Sequence, residues 1–237
     1  MKTTLLYLDD SYLKEFDAII LEVSEKGIVL DKTAFYPKGG GLPNDTGKII
    51  INEREFPVTY VYKEEDKVYH VIEGSIDASE GTPVRGIIDW DRRYRIMRLH
   101  TAAHMLSGLM YDKTKALVTG GNINEEKGHI DFGLEKLDRE LFEGVIKEAN
   151  ELIKVGRPVK IYYMEREKVL STPGLVKLAD RLPPKVNVLR IVEIEGIDVQ
   201  ADGGPHVANI KEIGEIELLK LESKGKRRKR LYYTVKP

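Results

Sequence analysis

The stretch Asp89-Trp-Asp-Arg-Arg-Tyr-Arg-Ile-Met-Arg-Leu-His-Thr-Ala-Ala-His-Met-Leu106 is where the chain changes character. No glycine or proline interrupts it, and its Ala, Met and Leu residues favour a helix. It carries His100 and His104, two of the five histidines in the chain. At i, i+4 the two imidazoles stand one above the other on one helix face. Two neutral imidazoles so placed can share one metal ion; the plainer reading is two histidines on a half-buried face.

Upstream of this helix the pattern is that of short strands. Ala18–Val23 and Gly27–Asp31 flank Ser24-Glu-Lys, and Gly47–Ile51 and Phe56–Tyr62 flank Asn52-Glu-Arg-Glu, two hairpin signals. Lys67–Ile72 and Pro83–Ile88 follow across a Gly/Asp/Ser-rich loop. Such strands and turns predict a small β-barrel over residues 1–88. Lys38-Gly-Gly-Gly-Leu-Pro-Asn-Asp45 lies between two of the strands. It reads as a hairpin loop, or as a backbone that can approach a phosphate or sugar closely.

Downstream, residues 89–237 read as an α+β domain of helices on an antiparallel-rich sheet. Asp112-Lys-Thr-Lys-Ala-Leu-Val-Thr-Gly-Gly121 reads as a turn into a strand, and Gly128–Phe132 as the next strand of a hairpin; Leu141, Phe142, Val145, Ile146, Ala149, Leu152 and Ile153 recur at helical spacing between Asp138 and Gly156. Pro158–Tyr163, Asn187–Ile194, Ile197–Val199, Glu215–Leu221 and Leu231–Val235 are strands, and Glu165–Leu170 a short helix. Ser171-Thr-Pro-Gly and Leu182-Pro-Pro-Lys are loops. His70 and His129 sit in strand patterns, where exposure or pairing is the ordinary outcome.

A second polar cluster, Gln200-Ala-Asp-Gly-Gly-Pro-His206, ends the 197–199 strand. Asp202 and His206 are again four apart, and the intervening glycines allow a tight bend. A helix giving two ligands and a Gly-rich loop giving one or two more is a plausible zinc site.

These motifs resemble those of the AlaX proteins, the freestanding relatives of the editing domain of alanyl-tRNA synthetase. The family's His-x-x-x-His appears as His100-Thr-Ala-Ala-His104, and its Cys-Gly-Gly-Thr-His as Asp202-Gly-Gly-Pro-His206. Its Asp-Trp-Asp lead-in followed by Arg-Tyr corresponds to Asp89-Trp-Asp-Arg-Arg-Tyr94, and its Phe-Tyr-Pro-x-Gly-Gly-Gly to Phe35–Gly41. Three positions depart from the pattern: Asp202 stands in place of Cys, Pro205 in place of Thr and Leu42 in place of Gln.

The resemblance implies a β-barrel followed by an α+β editing domain. It also implies a zinc-dependent hydrolase that deacylates tRNA(Ala) wrongly charged with serine, and in some members glycine. His100, His104, Asp202 and His206 would be the metal ligands. With three imidazoles bound, a fourth position remains for water or for Asp202, which either ligates or orients the water. Zinc can lower the pKa of a bound water to about 7 and polarise an ester. Thr119 would contact the aminoacyl side chain, where a hydroxyl selects serine over alanine; it also suits a strand as a β-branched residue. Gly39, Gly40 and Gly41 would lie on the substrate side. Lys226, Arg227, Arg228, Lys229 and Arg230 read as a solvated hairpin turn or as a tRNA phosphate contact.

Composition narrows the alternatives. The 237 residues carry a net charge of −1, so nucleic acid would have to be met by local basic patches. There is no cysteine, hence no disulfide and no thiolate metal site. Neither a signal peptide nor a run of about 18 apolar residues is present, and a cytoplasmic protein without membrane association is expected. No phosphate-binding loop for ATP is visible, so the expectation is an editor acting in trans. A hydrolase with another ester substrate and a tRNA-binding protein without catalysis are the alternatives.

Overall fold

A computed structural model describes residues 2–172 and 186–237; most of the two loops expected around Ser171–Gly174 and Leu182–Lys185 lies outside them. The chain divides into two compact units, residues 1–95 and 96–237.

In the first unit, β1 (Thr4–Leu5) and β4 (Lys32–Thr33) form a short parallel pair. The rest is a closed six-stranded barrel built from β2 (Glu15–Ser24), β3 (Gly27–Leu30), β5 (Gly47–Ile51), β6 (Arg54–Glu64), β7 (Lys67–Ile72) and β8 (Pro83–Ile88). Its order is β2-β3-β7-β6-β5-β8, antiparallel throughout. Alternation fills it: Phe16, Ala18 and Ile20 of β2 point inward while Glu15, Asp17 and Ile19 face out. The turn between β5 and β6 is narrower than expected, with Asn52 and Glu53 alone at positive φ (49° and 64°). That is the type I′ geometry whose twist matches a hairpin.

The Gly39–Leu42 segment is a tight turn as well. Leu42 N donates to Gly39 O at 2.8 Å, and Gly40 and Gly41 take φ of 58° and 84°. Glycine adopts two such angles in succession at the least steric cost. Deep in the barrel His70 is fully buried: Nδ1 donates to Ile28 O at 3.2 Å, and Nε2 accepts from the Thr33 hydroxyl at 2.8 Å. Burial pushes its imidazole down to about 4.

Helix α1 (Trp90–Thr114) is 25 residues long. The Asp89 carboxylate accepts from Arg92 N at 3.3 Å, satisfying one of the first-turn amides. The Arg93 side chain is fully buried within the first unit. It donates to both Asp45 carboxylate oxygens and to the carbonyls of Ser11 and Ala34. From Ile96 to Met110 the helix is buried nearly all round, as an apolar-sided core helix must be. It ends where Lys115 takes φ 60° and returns its amide to Tyr111 O.

The second unit carries two antiparallel sheets. One has the order β14-β15-β10-β9, with β9 (Val118–Ile123), β10 (Gly128–Phe132), β14 (Glu215–Ser223) and β15 (Lys229–Lys236). The other is β11-β12-β13: β11 (Val159–Glu165), β12 (Val188–Ile194) and β13 (Asp198–Ala201). Helix α2 (Arg139–Val155) is capped by the Asp138 carboxylate and ended at Gly156, the two residues that its sequence pattern marked. Phe142, Val145, Ile146, Ala149 and Ile153 form its buried face. The short helix α3 (Arg166–Ser171) also matches expectation. A 3-10 turn at Ile210–Ile213 begins with a capping box from Asn209 and Glu212.

Candidate metal centre

The four residues singled out as ligands converge. One donor atom from each of His100, His104, Asp202 and His206 lies within 4.8 Å of the other three. Helix α1 supplies the first two at successive turns; the β12–β13 hairpin delivers the others. After β13 the chain is held in a bend by Arg190 of β12. Its buried guanidinium donates to the carbonyls of Asp202 (2.9 Å) and Gly204 (3.1 Å). Within the bend, Gly204 N donates to Asp202 Oδ2 at 2.6 Å, a side-chain-to-backbone turn closure.

The neighbours of the imidazoles fix which nitrogen carries the proton. His100 Nδ1 faces Pro205 O at 3.2 Å; a carbonyl only accepts, so Nδ1 is the donor and Nε2 keeps its lone pair. His206 Nδ1 faces Thr101 Oγ1 at 3.0 Å. That hydroxyl gives its single proton to Met97 O at 2.9 Å, so it accepts from His206 Nδ1. His206 Nε2 is then also a bare acceptor, and it faces Asp202 Oδ2 at 3.2 Å. Asp202 Oδ1 lies 3.7 Å from His100 Nε2 and 4.0 Å from His104 Nε2.

Burial depresses His100 to about 4, and burial together with His100 and His104 holds His206 well below its ordinary value. Burial would raise the Asp202 carboxyl, but the surrounding His100, His206 and His104 keep it well below the usual carboxylate range. At neutral pH His100 and His206 are neutral and Asp202 is a carboxylate, so the unprotonated Nε2 atoms of these two imidazoles and the carboxylate oxygens crowd one another with no proton between them. A cation resolves that repulsion, so the residues present fit a metal ion of the zinc type, with three nitrogen donors and one oxygen. The Asp202 side chain is 22% exposed whereas the imidazole side chains are 8% or less, so solvent reaches the centre past the carboxylate.

The other expected site residues lie outside this group of four. Thr119 is on β9, its hydroxyl donating to Asp131 O at 3.3 Å. Gly39, Gly40 and Gly41 form the turn of the first unit. The basic run divides: Lys226, Arg227 and Arg228 are exposed in the β14–β15 turn, but Lys229 is buried with Nζ donating to Gly225 O and Lys226 O. Arg230 is held by a bidentate pair with Asp131 at 2.6 and 2.8 Å. Sequence reasoning passed over Thr101, which meets His206, Arg190, which holds the 202–204 bend, and Asp198, whose Oδ2 lies 3.2 Å from His104 Nδ1. Nothing in their local spacing marks them, since each acts on a partner from another element.

Two family models match the chain. Residues 4–92 match tRNA synthetases class II (A), and residues 189–232 the threonyl and alanyl tRNA synthetase second additional domain. The two matched stretches fall on the first unit and on the β12 to β15 part of the second. Over 98% of both chains the sequence is 54% identical to the alanyl-tRNA editing protein AlaX-M of Saccharolobus solfataricus. It is 42% identical to AlaX-M of Methanosarcina acetivorans over 98% of this chain and 99% of that one. Alanine--tRNA ligase of Methanococcus vannielii is 36% identical, with 93% of this chain matching only 25% of the ligase. The chain belongs to the AlaX-M family of alanyl-tRNA editing proteins.

Proposed function

We propose that the protein is a trans-editing deacylase of the cytoplasm that hydrolyses the aminoacyl ester of mischarged tRNA(Ala), above all Ser-tRNA(Ala), at a zinc centre held by His100, His104, His206 and Asp202. The observation that carries this reading is the convergence of four donor atoms within 4.8 Å in a chain of the editing family. When bound, zinc supplies Lewis acidity toward an ester oxygen and acidifies a water.

The chain's own groups supply the rest. His100 and His206 present Nε2 because Pro205 O and Thr101 Oγ1 occupy their Nδ1 protons. Asp202 is a ligand through Oδ1, since Oδ2 is already engaged by Gly204 N. Thr119 spends its proton on Asp131 O and so keeps acceptor capacity, which suits a serine hydroxyl and gives nothing to an alanine methyl. The backbone of Gly39, Gly40 and Gly41 serves the substrate side. Lys226, Arg227 and Arg228 contact tRNA phosphates, while Lys229 and Arg230 hold the turn and strand that carry them.

Metal analysis of the purified protein paired with a deacylation panel of Ser-, Gly- and Ala-tRNA(Ala) tests the reading. About one zinc per chain, hydrolysis of Ser-tRNA(Ala) and sparing of Ala-tRNA(Ala) are expected. His104→Ala should lose both metal and activity; full activity in that variant rejects the site.

A further inference from the structure

Each imidazole of the centre has a Nδ1 that must be accounted for, and two are met by neutral groups, Pro205 O and the Thr101 hydroxyl. The third, His104 Nδ1, is buried without an aligned hydrogen-bond partner, and Asp198 Oδ2 lies 3.2 Å from it. Asp198 is itself buried, at the first position of β13, and Gln200 Nε2 donates to its Oδ2 at 2.7 Å. A buried carboxylate without a function is an expense the fold rarely carries. The approach is also built from both sides: Gly108, one turn beyond His104, has no side chain to keep the Ile197–Asp198 backbone away from the helix.

We propose that Asp198 is a positioning residue of the metal centre, accepting the Nδ1 proton of His104 so that its Nε2 presents a lone pair to the ion. Asp198 fixes the tautomer and the ring orientation of a ligand, and it is the one carboxylate among the three Nδ1 neighbours, the other two being a carbonyl and a hydroxyl. The inference rests on the metal part of the proposed function. It adds that affinity depends on a residue that touches neither metal nor substrate.

The test measures zinc affinity of the full chain by competition with a chromophoric chelator, for wild type, Asp198→Asn and Asp198→Leu. Asp198→Leu is expected to weaken zinc binding roughly 10–100-fold and Asp198→Asn by less, because an amide oxygen still accepts. A packing role would also spare Asp198→Asn, which is nearly isosteric with Asp, so the protonation site of His104 is the readout that separates the two roles. Excess zinc should restore deacylation in both variants. In histidine 15N spectra of the zinc-loaded wild type, His104 should carry its proton on Nδ1. Unchanged affinity in Asp198→Leu, or a His104 proton on Nε2, overturns the proposal. Should Asp198→Leu not fold, unchanged affinity in Asp198→Asn with unmoved His104 signals overturns it alone. A wild type that binds zinc without deacylating refutes the enzymatic reading and leaves this one standing; a wild type that takes up no zinc refutes both.

Discussion

Replacing Gly108 with alanine sets helix propensity against packing, and the two predict opposite signs. In a helix interior Ala is favoured over Gly by about 1 kcal/mol. A Cβ at Gly108, however, would sit well inside van der Waals contact distance of Ile197 O and 3.0 Å from Asp198 Cβ. The hairpin backbone must retreat by roughly 1 Å, and forced displacement of a packed segment costs about 1–3 kcal/mol. The net is a destabilisation of up to about 2 kcal/mol, which lowers the melting temperature of a chain this size by up to roughly 8 °C. The retreat also draws Asp198 from His104, so zinc affinity should fall roughly tenfold. Thermal melts of metal-free protein and chelator competition give the two readouts. A Gly108→Ala protein that melts higher and binds zinc as tightly as wild type would refute the close approach and the role given to it.

Arg93→Met should destabilise the protein by about 3–5 kcal/mol in urea denaturation, because Asp45 is left as a buried carboxylate without its counterion; Asp45→Asn in the same chain should recover part of that loss. Replacing Lys226, Arg227 and Arg228 together by alanine should weaken tRNA binding and reduce the slope of log affinity against log salt by up to about 2, with the melting temperature unchanged. The barrel should lose stability in acid: His70 titrates at 6.5 when unfolded and about 4 when buried, so the unfolded state binds the extra proton in that window. Stability is fully present above pH 6.5, falls by about 3 kcal/mol on the way to pH 4 and levels below it, and His70→Gln should remove that part of the pH profile in urea melts. Asp202→Cys should retain zinc, since a thiolate ligates from the same bend.

Much of this architecture is written in local signals. Asp138 and Gly156 bracket α2, and the apolar alternation of β2 and β5–β8 announces strands with one buried face. The closure of the barrel in the order β2-β3-β7-β6-β5-β8 is not local, because it depends on which distant edges meet. The two-residue strands β1 and β4 are too short to leave a pattern. Asn209-x-x-Glu212 was readable as a capping box and was missed. The basic run divides for a reason of register: Lys229 shares strand parity with buried Leu231, Tyr233 and Val235, a parity that a run of like charges hides. The ligand set was visible as two i, i+4 pairs, whereas Asp198 and Thr101 matter only through the partners that folding brings to them.

The carboxylate at the 202 bend frees the centre from sulfur chemistry. A thiolate in that place could be taken by peroxide to sulfenic and sulfinic acid or captured in a mixed disulfide. Oxygen and imidazole donors offer no such entry, and the chain has no cysteine to be attacked. Thiol-directed reagents should therefore leave metal retention untouched, and the protein should keep its centre through air and storage without added reductant.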